Sequence, residues 1–371
     1  MNILVIGGAG VTGTVIVKQL LTHGHDVAIL HRGLHAASLP DNVTRIQADP
    51  YAKDGLTAAL TGKQFDVVIA TYGRLRYVAQ QLIGVTPRLI SVGGAAPVYK
   101  GWGEMMAANP WETTQPTPLF LSEDHALASA ETADPFSMAV RKTEQDVLGF
   151  HQAGHFNVTH FRYPLVYGPN NICPAEWGLI RRAREKRTPL ILPAGGLTLV
   201  SRGFADNIAH AIVLAVENPT ASAGQIYNIC DEHVIYNQEW VTRLGEIMNH
   251  RFDTIDMPFS ALPSGFRATP PQLLYRHHCV LDINKIKQQL GYRDVVSVEE
   301  ALERTVKYYM DNPLADGNEA EQNLGDPFDY VYEDAFIAAW KKHGEDFVAA
   351  RDALPAPKVV WKHPYQQTTK K

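Results

Sequence analysis

The chain has 371 residues, 45% of them hydrophobic and 20% charged, with a formal net charge of −5. It can bury a full core, as one large domain or a domain with a smaller lobe, and its charge excludes a global attraction to nucleic acid or anionic membrane. Three widely spaced cysteines, Cys173, Cys230 and Cys279, speak against a disulfide framework and for a reducing compartment.

Met1-Asn2 enters an apolar run directly, with no basic leader or cleavage site, and no run reaches membrane-spanning length, so a cytoplasmic location is expected. Ile3 to Ile6 has the pattern of a central parallel strand covered on both faces. Gly7-Gly8-Ala9-Gly10-Val11-Thr12-Gly13 follows, then an amphipathic stretch (Val15, Ile16, Val17, Leu20, Leu21) that stops at Gly24, a residue suited to a helix C′ position. A second apolar run from Asp26 to Leu30, followed by His31-Arg32-Gly33, completes a βαβ unit. Gly7 turns the chain out of the strand, Gly10 leaves room for a pyrophosphate, and Gly13 lets helix and strand pack closely. The phosphates would rest on N–H groups around Val11 and Thr12 at the positive helix end. Gly8, Gly10 and Gly13 fit G-x-G-x-x-G, and Gly7, Gly10 and Gly13 fit G-x-x-G-x-x-G. The strand–turn–helix context supports a dinucleotide site without choosing a subfamily; a ligand-free glycine turn is the alternative.

Further along, residues 43–49 read as a third strand ending in Asp49, 53–60 as a short helix, and 65–70 as a fourth strand followed by Thr71-Tyr72-Gly73. Residues 88–92 form a fifth strand that breaks into Gly93-Gly94-Ala95-Ala96-Pro97-Val98-Tyr99. An irregular excursion over 100–134 precedes a helix over 136–152 and a strand over 157–161. Such alternation predicts a parallel, doubly wound α/β sheet with right-handed crossovers. Beyond Tyr163 the pattern is mixed, with helices over 176–187, 205–217 and 237–249 and a strand over 225–229. Asp282 could cap a helix running to Gly291, and Ser297 with Glu300 has capping-box spacing for a helix over 298–310. Residues 311–335 carry eight acids and no base, which predicts a solvated, mobile linker. A last helix over 333–353 places Phe336, Trp340 and Phe347 near one face.

Several motifs occur together in order. They are Gly7-x-x-Gly10-x-x-Gly13, Asp49, Arg162-Tyr-Pro-Leu-Val-Tyr-Gly-Pro169, Arg202-Gly-Phe-Ala-Asp-Asn-Ile-Ala209, and Asp282-Ile-Asn-Lys285 with Leu290-Gly291-Tyr292. On these residues the chain, over about 1–312, resembles the extended short-chain dehydrogenase/reductase family, also called the NAD-dependent epimerase/dehydratase group. His31-Arg32-Gly33 is similar to an atypical branch that includes chloroplast stem-loop RNA-binding proteins. The resemblance implies a Rossmann-type domain over 1–165 with contributions from about 200–230. A smaller C-terminal substrate lobe over 166–312 and an acidic linker with a helical tail over 313–371 complete the expected organisation. It also implies that Asp49 contacts adenine and that Thr71 and Tyr72 lie near the nicotinamide.

Cofactor choice is read at the end of the second strand. An acid there takes a ribose 2′-hydroxyl, whereas an arginine suits a 2′-phosphate. His31-Arg32 favours NADP(H), with NAD(H) open because Arg32 could instead stack on adenine. The family's active site is a Tyr-x-x-x-Lys pair on the helix with a Ser or Thr after the fifth strand. Lys142, followed by Thr143-Glu144, matches the ribose-holding lysine, but Met138 stands four residues before it. A frame set on Arg141 meets Ser137, Phe136 is no acid, and the serine position falls near Gly94-Ala95. Losing a positioned acid/base costs ~10²–10⁴ in rate. Tyr99, Tyr163 and Tyr72 are the candidate substitutes, and Lys142 itself could act if desolvated; packing is the alternative role for Tyr163 and Tyr167.

Arg181, Arg182, Arg184, Lys186 and Arg187 cluster where family members hold the anionic part of a substrate. Arg182 and Arg202 are the candidate substrate-binding residues, and a solvated helix face is the alternative. His277-His278-Cys279 reads as a loop, so no metal is expected. The leading expectation is an NADP(H)-dependent oxidoreductase acting on a small organic carbonyl or hydroxyl substrate through a nonstandard proton donor. A nucleotide-sugar epimerase or dehydratase that retains its cofactor is one alternative. A non-catalytic NAD(P)-binding regulator or RNA-binding protein is another, although nucleic acid is an unfavoured partner. A homodimer is possible and no membrane is expected.

Overall fold

Alternation within the first strand, β1 (Asn2–Ile6), sets the layers. Successive strand side chains point to opposite faces, so Ile3 and Val5 enter one core while Leu4 and Ile6 enter another. The computed structural model describes residues 1–33, 39–52, 54–71, 74–102, 118–129, 131, 133–263 and 269–355, without the side chains of 96, 97 and 271.

Seven strands build the main sheet: β1, β2 (Asp26–His31), β3 (Thr44–Gln47), β4 (Val67–Ala70), β5 (Arg88–Gly94), β6 (Asn157–Tyr163) and β11 (Gln225–Asn228). All neighbours are parallel, in the order β11-β6-β5-β4-β1-β2-β3. The fold is therefore an α/β, Rossmann-like doubly wound sheet, as expected. Helices α1 (Val11–Thr22) and α7 (Ala205–Glu217) cover the face of Ile3 and Val5, with Ile16, Leu20, Ile208 and Ile212 in the shared core. On the other face, α2 (Gly55–Leu60), α3 (Leu75–Gln81) and α5 (Pro135–Gln152) contribute Leu56, Val78 and Val147. The order reverses between β1 and β4, so a crevice opens outside their carboxyl ends, where doubly wound sheets bind ligands. The chain turns after β5 through the four-residue α4 (Ala95–Val98).

Beyond β6 the structure is built from strand pairs and helices. β7 (Leu165–Tyr167) pairs parallel with β10 (Arg202–Phe204), and β8 (Pro189–Pro193) pairs parallel with β13 (Asp253–Met257). β9 (Leu199–Val200) runs antiparallel to β12 (Ile235–Tyr236). Around them lie α6 (Trp177–Arg184), α8 (Asn237–Ile247), α9 (Asn284–Leu290) and α10 (Val298–Asp311). The expected cap of α10 is present, with Ser297 Oγ accepting from the Glu300 N–H at 3.3 Å. Asp282 accepts from Asn284 N at 2.6 Å just before α9, which ends at Gly291 with φ 70°.

The acidic stretch departs from its composition. Residues 319–324 form α11 (Glu319–Leu324), capped by the Asn318 side chain, and Glu321, Leu324 and Asp326 are buried. Glu321 accepts from Trp177 Nε1 at 2.8 Å and Arg181 Nη1 at 2.7 Å, and Asp326 pairs with Arg182 at 2.7 Å. The missing counter-charges come from α6, 140 or more positions earlier in the chain, so a local window reads the segment as uncompensated. Residues 1–327 form one compact unit and 328–371 a second. The second contains α12 (Tyr330–Asp352), whose N-cap Asp329 accepts from Tyr332 N and on which Tyr332 stacks against Phe336. Among the described residues no helix is long and apolar enough to cross a membrane.

Candidate active site

The turn after β1 has the geometry of a phosphate cradle. Gly7 adopts φ 91°, a left-handed value that favours glycine. A Cβ on Gly13 would lie 2.1 Å from the Gly7 carbonyl oxygen, so that position must be bare for α1 to approach the turn. A Cβ on Gly10 would meet only the Gly7 oxygen, at 3.5 Å, and otherwise enter open space. Gly10 caps α1 without a side chain, and no acid lies in the first turn. The N–H groups of Val11, Thr12 and Gly13 therefore face that space at the positive helix end. These features fit the pyrophosphate of a dinucleotide.

At the ends of β2 and β3, His31 Nδ1 accepts from Gly33 N at 3.0 Å, and exposed Asp49 accepts from Tyr51 N at 2.9 Å. That turn presents Tyr51, whose ring carries two guanidinium groups: Arg32 at 5.6 Å and Arg74 at 5.1 Å from the centroid. Neither Tyr51 nor Arg74 stood out in the sequence. Arg74 comes from the start of α3, a helix that hydrophobic periodicity did not indicate. From here a cleft of about 1180 Å³ runs past Thr71, Gly93 and Gly94 to Phe136, Val140, His160 and Tyr163. Thr71 is fixed at its floor by an N–H bond to the Ile6 carbonyl at 3.0 Å. Tyr72 lies outside the described residues.

The rotation of α5 decides which side chains reach this cleft. Asp134 caps the helix, accepting from Phe136 N at 2.8 Å and Ser137 N at 3.2 Å. Buried Glu144 accepts from Arg162 Nε and Nη2 at 2.8 and 2.7 Å. Burial works to raise the Glu144 pKa, but the Arg162 hydrogen bonds and the charges of His160 and Arg162 hold it below the ordinary carboxylate value. With Glu144 turned to the sheet, Phe136, Ala139, Val140 and Thr143 line the cleft. Lys142 does not. Its side chain is 59% exposed and pairs with Asp146 at 3.1 Å, one helical turn on. The pairs that face the cleft four residues apart, Phe136 with Val140 and Ala139 with Thr143, carry neither phenol nor ammonium.

Tyr99 is fully buried and committed elsewhere. Its hydroxyl donates to Asn228 Oδ1 at 2.6 Å and accepts from Arg162 Nη1 at 2.7 Å, and burial pushes its pKa up to about 12. His160 sits behind Gly93, with Ser91 Oγ 2.8 Å from its Nδ1, and burial drives its pKa down to about 4 despite Glu144. Both belong to a buried polar network that joins α5 to β5 and β6.

Tyr163 remains. It pairs across from Gly94 at the sheet edge and lines both the large cleft and a smaller inner pocket. Among the described residues its hydroxyl has no well-formed hydrogen bond, and burial raises its pKa above the ordinary phenol value, with the nearby Thr12 side chain acting against that. The inner pocket, about 140 Å³, is walled by Ala95, Trp102, Leu165, Val200, Tyr275 and Cys279 among others. Ala95 and Gly94 stand where a serine was sought.

The two candidate substrate arginines are held inside the protein. Arg182, 1% exposed, bonds Asp326 and the Gly178 carbonyl. Arg202 bonds Asn237 Oδ1 at 2.6 Å and lies 4.2 Å from the Trp240 ring centroid, with burial lowering its pKa to about 10. The His277-His278-Cys279 side chains do not converge: His278 Nδ1 accepts from Leu199 N, and Cys279 lines the inner pocket.

A sequence model of the NAD dependent epimerase/dehydratase family matches residues 3–82 and 111–230. The chain is 22% identical over 335 residues to UDP-N-acetyl-alpha-D-glucosaminuronate decarboxylase of Bacillus cytotoxicus, covering 82% of this chain and 97% of that one. It is 25% identical over 248 residues to chloroplast stem-loop binding protein of 41 kDa b of Arabidopsis thaliana, covering 63% and 60%. Among solved structures, UDP-glucose 4-epimerase of Thermotoga maritima superposes with a TM-score of 0.66 at 18% identity, covering 84% of this chain and 99% of that one. UDP-glucuronic acid 4-epimerase of Bacillus cereus, in complex with NAD, gives 0.64 at 19%, covering 86% and 100%.

Proposed function

We infer, since the chain belongs to the NAD dependent epimerase/dehydratase family, that it is an enzyme which binds NADP(H) in the long cleft and reduces a small carbonyl compound, or oxidises the matching alcohol. The observation that carries this reading is the position of Tyr163, the phenol shared by the cofactor cleft and the inner pocket. Gly7, Gly10 and Gly13 with the first-turn N–H groups would hold the pyrophosphate. Arg32 and Arg74 beside Tyr51 favour a 2′-phosphate over a bare ribose hydroxyl. Bound there, the nicotinamide would exchange a hydride with the substrate carbon. Tyr163 would hand its proton to the carbonyl oxygen and regain it from water; in the reverse direction it would accept the alcohol proton. A phenol held above its ordinary pKa is protonated at neutral pH, and as a weaker acid than a free phenol it would give up its proton only as the far more basic alkoxide forms.

The test is NADPH consumption with a panel of small aldehydes and ketones, repeated with Tyr163→Phe. The expected result is turnover that falls at least ~100-fold in the variant while NADPH affinity is kept. Equal turnover in both proteins removes Tyr163 from the reaction.

Two other readings each have an observation behind them. The decarboxylase and epimerase relatives favour nucleotide-sugar chemistry with a retained cofactor, which predicts NAD that copurifies and is not consumed. Phe136 and Val140 at the cleft, with the likeness to a stem-loop binding protein, favour cofactor binding without turnover. That outcome would appear as tight NADPH binding and no product from any carbonyl.

A further inference from the structure

The inner pocket has a chemistry of its own. Its walls are mostly hydrocarbon and sulfur: Ala95, Leu165, Val200, Leu281 and Cys279. Ser201 is occupied, its Oγ accepting from Leu281 N at 3.0 Å. The other polar side chains that line the pocket are Tyr163, Tyr275 and Trp102. Of these, the Tyr163 hydroxyl and Trp102 Nε1–H are buried without a well-formed hydrogen bond among the described residues, the Trp102 side chain being only 3% exposed and set against the Cys279 thiol. A thiol is a weak acceptor, so a ligand oxygen would serve that N–H better. No lysine, arginine, aspartate or glutamate lines the pocket among the described residues.

The cations that could receive an anionic substrate are matched internally. Arg181 bonds Glu321, Arg182 bonds Asp326, and Arg202 bonds Asn237 and stacks on Trp240. The segment ending at Asp326 thus supplies, from the chain itself, the anions that α6 would otherwise take from a ligand. A sugar ring would fare no better in the inner pocket, because several hydroxyls would face walls with few partners and lose their bonds to water unreplaced. A volume of 140 Å³ is close to the ~150 Å³ of an apolar cavity that accepts benzene.

We propose that this pocket binds a compact, uncharged, largely apolar carbonyl compound, whose oxygen is received jointly by Trp102 Nε1–H and the Tyr163 hydroxyl, and that it does not bind nucleotide sugars. The proposal deepens the reduction set out above and rests on it only for the proton transfer by Tyr163. Trp102 moves no proton. It orients the oxygen and stabilises the negative charge that develops on it.

The experiment uses the full chain with saturating NADPH and saturation-transfer NMR on three probes: cyclohexanone, methylenecyclohexane, which has the same shape without an acceptor, and UDP-glucose. Wild type is expected to bind the first two and not the third. Trp102→Phe, which keeps an aromatic ring and loses the N–H, should weaken cyclohexanone about tenfold and leave methylenecyclohexane unchanged. Cys279→Phe, which fills the pocket, should abolish both without changing NADPH affinity. Saturable UDP-glucose binding that displaces the ketone overturns the proposal, as does absence of ketone binding, or equal weakening of both six-membered-ring probes by Trp102→Phe. Ketone binding without NADPH oxidation leaves the pocket assignment standing and removes the reductase reading instead.

Discussion

Glu144 holds Arg162 with both carboxylate oxygens, at 2.7 and 2.8 Å, and the two side chains are 4% and 2% exposed. This is a bidentate, buried ion pair between the middle of α5 and the sheet. It fixes the rotation of the helix and thereby which residues face the cofactor cleft. Removing one partner strands a buried charge, so Glu144→Ala and Arg162→Met should each lose about 3–5 kcal/mol, and the double variant less than their sum. The pH dependence has a definite sign. The folded pKa of Glu144 lies below its ordinary 4.5, so its contribution is complete above that value and is lost as pH falls through the folded pKa. Urea melts at pH 7 and pH 4 should show the gap between wild type and Glu144→Ala narrowing in acid. A cost below 1 kcal/mol at pH 7 would refute the anchoring role.

Lys142 is predicted to be dispensable. Exposed pairs such as Lys142–Asp146 contribute at most about 0.5 kcal/mol, and the side chain stands away from the cleft lining. Lys142→Met should keep its melting temperature, its NADPH affinity and whatever turnover the wild type shows. A tenfold loss of NADPH affinity would mean that the helix turns in the bound state.

These two residues show where the sequence was legible. Strand β1, the glycine turn and α1 are neighbours along the chain, so local pattern and the strand–turn–helix context carried the Rossmann reading. The register of α5 was not local. Lys142 matched a motif by spacing, but the contact that sets the rotation joins Glu144 to Arg162 across β6, and a window on the helix does not contain it. The same reason hid the fate of the acidic segment, because its partners Arg181 and Arg182 lie on α6. Arg74 was missed because α3 is only seven residues long, which leaves little periodicity to read.

The two guanidinium groups on Tyr51 predict a preference that one arginine alone would not secure. If Arg32 and Arg74 both reach a 2′-phosphate, each charge-assisted contact is worth about 1.5–3 kcal/mol. Arg74→Ala should then weaken NADPH roughly tenfold or more while leaving NADH nearly unchanged, and Arg32→Asp should reverse the preference. Titrations with 2′-phospho-AMP and AMP isolate this end of the cofactor. Equal affinity of the wild type for both would sink the NADP(H) assignment.

Glu176 predicts a loss of stability between weakly acidic and neutral pH. Its carboxylate is fully buried with neither oxygen bonded among the described residues, and burial lifts its pKa to about 7 against the pull of Arg202. Here the folded pKa exceeds the unfolded one. The unfolded chain releases the proton from about pH 4.5 upward while the folded chain retains it, so stability falls across pH 4.5–7 and levels off above. The shift is worth about 3 kcal/mol. Glu176→Gln should match wild type at pH 4 and exceed it by that order at pH 8. Asp231 is raised in the same direction, also by burial first, so the difference between the two proteins is the quantity to measure. Parallel curves would show that Glu176 ionises without penalty.

Two glycines of the opening turn separate folding from binding. At Gly13 an added methyl would sit 2.1 Å from the Gly7 oxygen and 2.8 Å from Gly8 Cα, both backbone atoms that cannot swing aside. Gly13→Ala should therefore lose about 1–3 kcal/mol of stability through overpacking, and cofactor binding with it. At Gly10 the same methyl meets one atom at an ordinary 3.5 Å, and the backbone, at φ −82°, accepts any residue. Gly10→Ala should melt within about 1 kcal/mol of wild type. The methyl would nevertheless occupy the space in front of the α1 N–H groups, where the pyrophosphate has to approach. NADPH affinity should fall by at least about tenfold with the fold intact. Wild-type affinity in a normally folded Gly10→Ala protein would place the dinucleotide somewhere other than this turn.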